Sequence, residues 1–109
     1  DSPISITLGE IDLSFAKRIN AFAPFGVGNP KPIFELVDAK IIETKSFGKT
    51  GDHLMFTLGD GKGKRIKMIS FFAKEKEFSQ DENKTILANI EISNFMSREE
   101  VRLRLVEIK

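Results

Sequence analysis

Cysteine, tryptophan and tyrosine are absent from this 109-residue chain, and histidine occurs once. Without thiols there can be no disulfide, no thiolate metal centre and no cysteine nucleophile, a pattern compatible with a reducing cytosol, and a cytoplasmic location is expected. A single histidine, His53, cannot build a histidine metal site. Ten phenylalanines are the whole aromatic complement, so any stacking falls to them. No apolar run approaches the ~20 residues of a membrane span. The start, DSPISITLGE, lacks the basic-then-apolar order of a signal peptide. No membrane partner is expected, and the acceptor-like Asn83-Lys84-Thr85 is read as chance.

What is present is an ordinary globular composition, 40% hydrophobic and 30% charged, long enough for one core plus a fragment of another. The net charge of +1 hides an uneven distribution. Residues 44–76 hold eight Lys or Arg against three acids, a local +5, while each flank sums to −2. Such asymmetry points to an anionic partner, with a solvated Lys-rich hairpin as the plain alternative.

Ile11, Phe15, Ile19 and Phe22 fall at i, i+4, i+8 and i+11, one stripe of a helix over about residues 12–23. Asp12 or Ser14 can cap it, and Pro24 ends it. The stripe is expected to pack on a body larger than this chain. Upstream, ISITL can form a short strand without an obvious partner.

After Pro32 the period changes from 3.6 to 2. Residues 33–46 are rich in branched side chains, and HLMFTL sets Leu54, Phe56 and Leu58 against His53, Met55 and Thr57. Residues 64–72 alternate until Ile69, Phe71 and Phe72 make both faces apolar, which suggests a bulge or a barrel corner. Ile86, Ala88, Ile90 and Ile92 face one way on a fourth strand; Val101, Leu103 and Leu105 do so on a fifth, opposite Arg102 and Arg104. SFGKTGD and GDGKG carry the glycine that hairpins use, and SNFMSREE joins the last two strands. The long link AKEKEFSQDEN can hold a helical turn around Phe78, with Lys74 and Lys76 beside Glu75 and Glu77 as a solvated run. The spacing predicts a mainly β chain: a five-stranded OB-fold barrel over residues 33–109, preceded by a helix and a Pro/Gly-rich junction, with a β-sandwich fragment as the competitor.

That junction is APFGVGNPKPIF. Gly26-Val27-Gly28 follows a helix and precedes prolines, so it is no dinucleotide fingerprint, and Gly48-Lys49-Thr50 lacks the glycine a P-loop has five positions earlier. Pro24, Pro30 and Pro32 restrict φ, Gly26 and Gly28 permit turns, Asn29 can bond nearby backbone, and Phe25 and Phe34 anchor the segment. A fixed corner is expected, not a swinging linker.

The run FAPFGVGNPKPIF closely resembles the PFGxGNPxPxF signature of the bacterial RecJ family of single-strand-specific DNA exonucleases. The His53-Leu54 pair opening the second strand, and the apolar run from Met68 ending in Phe71, resemble that family too. The resemblance implies that residues 1–32 are the end of a DHHA1 domain and that residues 33–109 are the OB domain that follows. The family's metal-binding DHH motif is missing, so the chain is expected to bind without cleaving. It implies no catalytic residue and no metal or cofactor here, with manganese or magnesium belonging to the parent nuclease. The partners it implies are single-stranded DNA, in repair and recombination, and the remainder of the nuclease core.

An OB surface holds single strands with cations along the phosphates and aromatic faces under the bases. Across the second and third strands the candidates are Lys45, Lys49, Lys62, Lys64, Arg65 and Lys67, with Phe47 as the stacking ring. Phe95 and Arg98 from the last hairpin would close the groove, and Arg102 with Arg104 would extend its charge. Phe34, Phe56 and Phe71 are assigned to the core on pattern, Phe47 and Phe95 stand evenly between core and surface, and His53 is placed at the rim. A protein-docking or internal packing role is the alternative for the barrel.

Overall fold

The structure, a computed structural model, describes residues 2–71 and 85–109. The expected helical turn at Phe78, the charged run beside it, Phe72 and Asn83-Lys84 lie outside those residues.

Seven strand segments form one sheet. They are β1 (Ile4–Ile6), β2 (Phe34–Leu36), β3 (Lys40–Phe47), β4 (His53–Gly59), β5 (Arg65–Ser70), β6 (Ile86–Phe95) and β7 (Arg98–Ile108), ordered β1-β2-β6-β7-β5-β4-β3. As a hydrogen-bonded ladder the sheet is open, with β1 and β3 at its ends. Yet β2 and β3 are one strand bent at residues 37–39, with β2 pairing β6 and β3 pairing β4. The bend therefore joins the two ends of the sheet through the chain itself. This is the partly open five-stranded Greek-key barrel of an OB fold, the class the alternation suggested. The count rises to seven because the first strand is split and ISITL does find a partner: Ile4 to Ile6 run parallel to Phe34 to Leu36.

The bend is pinned. Asp38 Oδ1 accepts from the Leu8 N–H at 2.9 Å, tying the N-terminal arm to the corner. Ahead of the helix, Glu10 accepts from the Thr7 N–H (2.9 Å) and hydroxyl (2.7 Å), which holds its carboxyl below the usual value. The helix α1 is Leu13–Asn20, shorter than expected, and Asp12 caps it by accepting from the Phe15 N–H at 2.8 Å.

The apolar stripe of the helix packs on this chain's own core. Leu8, Ile11 and Ala16 share one buried cluster with Phe34, Phe56, Leu58, Met68 and Leu103, and Phe15 and Ile19 pack against it. Phe15 meets Phe34 edge to face at 5.8 Å. Phe22, past the helix end, departs from the stripe and is exposed.

Register shifts occur between Ile41 and Glu43 on β3 and between Leu87 and Ala88 on β6. The pairings of β5, where the failed alternation suggested a bulge, are regular. There β5 pairs β4 on one edge and runs parallel to β7 on the other, so Ile69, whose neighbour Met68 faces the core, is also buried. Gly59 is buried because the bulged Ile42 lies across it, and a Cβ there would collide with the Ile42 Cδ1. SNFMSREE is mostly strand; the turn itself is Met96-Ser97.

Candidate nucleic-acid interface

Cross-strand register assigns the outer face. Lys45 stands opposite Met55, Met55 opposite Ile69, Ile69 opposite Arg104, and Arg104 opposite Asn89. On one side of that row, Glu43 faces Thr57 and Thr57 faces Lys67, while Arg102 faces Glu91. On the other side Phe47 faces His53. Residues directly opposite share a face, so these side chains form one band across the sheet.

At one end of the band three rings meet. Phe47 and His53 have centroids 5.2 Å apart, His53 and Phe71 5.1 Å, and Phe47 and Phe71 6.3 Å. Arg104 lies over Phe71, its guanidinium carbon 4.7 Å from the ring centre. Phe47 is 36% and Phe71 40% exposed, so both rings present a face to solvent. Phe71 is thus a correction to the core assignment: it shares parity with Ile69 and Lys67, not with Ile66 and Met68. Gly48 lets the loop after β3 turn here, at φ 93°, and a Cβ on it would press on the His53 ring at 2.7 Å.

Mid-band, Glu91 gathers two cations. Its carboxylate accepts from Arg102 at 2.7 Å and lies 3.1 Å from the Arg104 Nε. Lys67 donates to Thr57 Oγ1 at 3.0 Å, and Lys45 sits 3.7 Å from Glu43. A depression of about 190 Å³ lined by Met55, Lys67, Ser93, Phe95 and Arg102 continues the band toward the β6–β7 turn.

The expected cations do not all converge. Lys49 is exposed in the loop after Phe47, beside the ring cluster. Lys62, Lys64 and Arg65 stand at the opposite end of the β4–β5 hairpin, with Arg65 facing Gly59, about 20 Å along a seven-residue strand. Asp60 organises that loop, accepting from the Lys62 N–H at 2.7 Å and the Lys64 N–H at 3.1 Å. Because β5 and β7 run parallel, Phe95 and Arg98, which face each other at the end of β6–β7, lie toward this same end. The candidates therefore form a string: Phe47 and Lys49 at one end, Lys45, Lys67, Arg102 and Arg104 between, and Lys62, Lys64, Arg65, Phe95 and Arg98 at the other. Phe71 and Glu91 are additions, and Glu91, Glu43 and Glu100 interrupt the positive charge.

Hydrogen bonds tie the junction residues to one another and to β6. Gly26 and Asn29 exchange backbone hydrogen bonds at 2.8 and 2.9 Å, and Gly28 takes φ 85°. Asn29 Nδ2 donates to the carbonyls of Phe22 and Pro24, both at 2.8 Å. Asn89 Nδ2 donates to the Pro32 carbonyl at 2.8 Å, holding the exit of the corner, past Pro30, to β6. Phe25 is half-buried, lining a cavity with Ile19, Pro32 and Ile90, and Gly26 needs no positive φ.

Among the described residues no three His, Cys, Asp or Glu side chains stand together as a metal would need. Among them, too, no helix is long and apolar enough to cross a membrane.

A bent first strand shared by both ends of a Greek-key sheet, with rings and cations on its outer face, defines an OB-type domain. Within that class the RecJ OB domain family matches residues 4–107, and the chain belongs to that family. The match takes in β1, α1 and the junction as well as the barrel. Comparison with curated proteins finds no match.

Proposed function

We propose that this chain is the single-stranded-DNA-binding module of a RecJ-like exonuclease, working in the cytoplasm in DNA repair and recombination. It holds the strand and does not cut it; hydrolysis, with its manganese or magnesium, belongs to the remainder of the nuclease. The observation that carries this reading is the Phe47–His53–Phe71 cluster beside Arg104, continued by Lys67 and Arg102 on one sheet face. Bases can stack on the exposed rings while the guanidinium and ammonium groups meet phosphates, and neither contact depends on sequence. A digesting enzyme that accepts any sequence needs that tolerance.

A docking role is supported by the apolar side chains around the junction. Ile4, Phe22 and Val27 are exposed around the junction, 53%, 69% and 110%. The remainder of the nuclease would dock there, next to the band, because Asn89, opposite Arg104, bonds the Pro32 carbonyl.

The test is a titration of the protein with labelled oligo-dT and with the matching duplex, by fluorescence anisotropy at low salt. Preference for the single strand, weakened by Phe47→Ala and by Arg65 and Lys67 replaced together with Glu, is the expected result. Equal affinity for both DNAs, or an unchanged charge-reversed protein, removes the proposal, since any basic patch holds a polyanion.

A further inference from the structure

The β6–β7 hairpin runs on past its neighbouring strands. β2 pairs with β6 only as far as Ala88, and β5 with β7 only at Leu103 and Arg104, while β6 and β7 stay paired out to Phe95 and Arg98. Residues 94–100 are exposed throughout, and Lys17 braces the ribbon to α1 through Glu99 at 3.1 Å.

The tip is built against local preference. Met96 and Ser97 form the two-residue turn, both left-handed at φ 51° and 65°. Such turns favour Asn-Gly, because a Cβ crowds the following carbonyl there, a cost glycine avoids and asparagine offsets by local hydrogen bonding. Here one of the two is methionine, 80% exposed, and Phe95 beside it is 65% exposed. Neither backbone geometry nor packing within the described residues accounts for two large apolar groups at this point. Backbone strain combined with apolar exposure marks a site of contact with something else.

We propose that Phe95 and Met96 form an apolar wedge that enters the base stack where the single-stranded path meets paired DNA, unstacking the terminal pair. This rests on the single-strand reading above. Phenylalanine and methionine are among the side chains that insert between base steps. The chemistry behind the tip favours nucleic acid over a protein: Arg98 stands directly opposite Phe95, and in the depression leading away from Phe95 the two cations Lys67 and Arg102 outnumber the one acid, Glu100. A protein-docking surface would need a broad apolar patch, whereas Asn94, Ser97, Arg98 and Glu99 around this tip are polar.

The probe is a duplex with a single-stranded tail, carrying 2-aminopurine at the first paired position, whose emission rises when its neighbours unstack. Saturating wild-type protein is expected to raise that emission severalfold. The double variant Met96→Asn with Ser97→Gly suits the turn better, so it should melt at the same or a higher temperature and bind an oligo-dT tail as wild type does, yet lose the rise. Phe95→Ser should lose most of it. Emission at the level of free DNA under saturating wild type, or a full rise with the double variant, overturns the wedge and leaves the single-strand reading standing. No binding of wild type to oligo-dT at low salt removes both.

Discussion

The guanidinium carbon of Arg104 lies over Phe71, 4.7 Å from its ring centre, and the same guanidinium reaches Glu91 on the neighbouring strand. A ring held from one side and open on the other is a shelf: its exposed face is available to a base, and its position is set by an ion pair on another strand.

Phe71→Ala should therefore separate binding from folding. Loss of one stacking face should weaken oligo-dT binding by about 1–3 kcal/mol. Stability should change little, because the ring is 40% exposed. Phe56→Ala, at a fully buried ring, should instead cost about 3–5 kcal/mol in denaturant unfolding. Equal stability losses at the two positions would return Phe71 to the core.

Glu91 neutralises part of the band by holding both arginines. Glu91→Gln should raise affinity for any polyanion, duplex included, and narrow the preference for the single strand. Each further phosphate that the freed arginines neutralise should steepen the slope of log K against log salt by about 0.7 for single strands. Salt titrations of oligo-dT and duplex binding read both effects, and an unchanged slope would mean that the arginines do not reach the phosphates.

Asp60 provides a pH test. The Lys62 N–H, chiefly, holds its carboxyl below the ordinary 3.8 against the opposing desolvation, with the Lys64 N–H and the Lys62 charge adding smaller lowering effects. A depressed folded value stabilises the loop above the unfolded value, and that stability is lost as pH falls through the folded one. The amide signals of Lys62 and Lys64, followed by NMR during acidification, should titrate together with a midpoint under 3.8. A midpoint at or above it would mean that the two bonds do not form in solution.

The corner at Asn29 can be weakened with one atom group. Asn29→Ala removes the donor that bridges the Phe22 and Pro24 carbonyls. At about 1 kcal/mol for each such bond, the variant should lose roughly 1–2 kcal/mol in urea unfolding. Oligo-dT binding should fall less than in Phe71→Ala, since neither a ring nor a cation of the band is removed.

Much of the fold was legible because alternation is a local property. Leu54, Phe56 and Leu58 on one side of β4 and Leu103 on β7 are where period-2 reading puts them, and Phe34 and Phe56 are buried as expected. Asp12 and Asn29 perform the bonds their side chains suggest. Phe71 was misread because the segment around it is apolar on both sides, so parity alone could not say which side turns inward. Glu91 was missed because an acid in a basic band has no sequence mark; its role appears only when register sets it against Arg102.

The amino-acid order alone determined which segments become strands, where they turn, and which side chains alternate, since each depends on neighbours a few positions away. The tertiary structure decided how those strands are joined into one surface. The bend at residues 37–39 makes one strand serve both ends of the sheet, and the parallel pairing of β5 with β7 brings Ile69 beside Arg104. Such pairings unite residues more than thirty positions apart, and they are chosen by the burial of a shared core that no local pattern encodes.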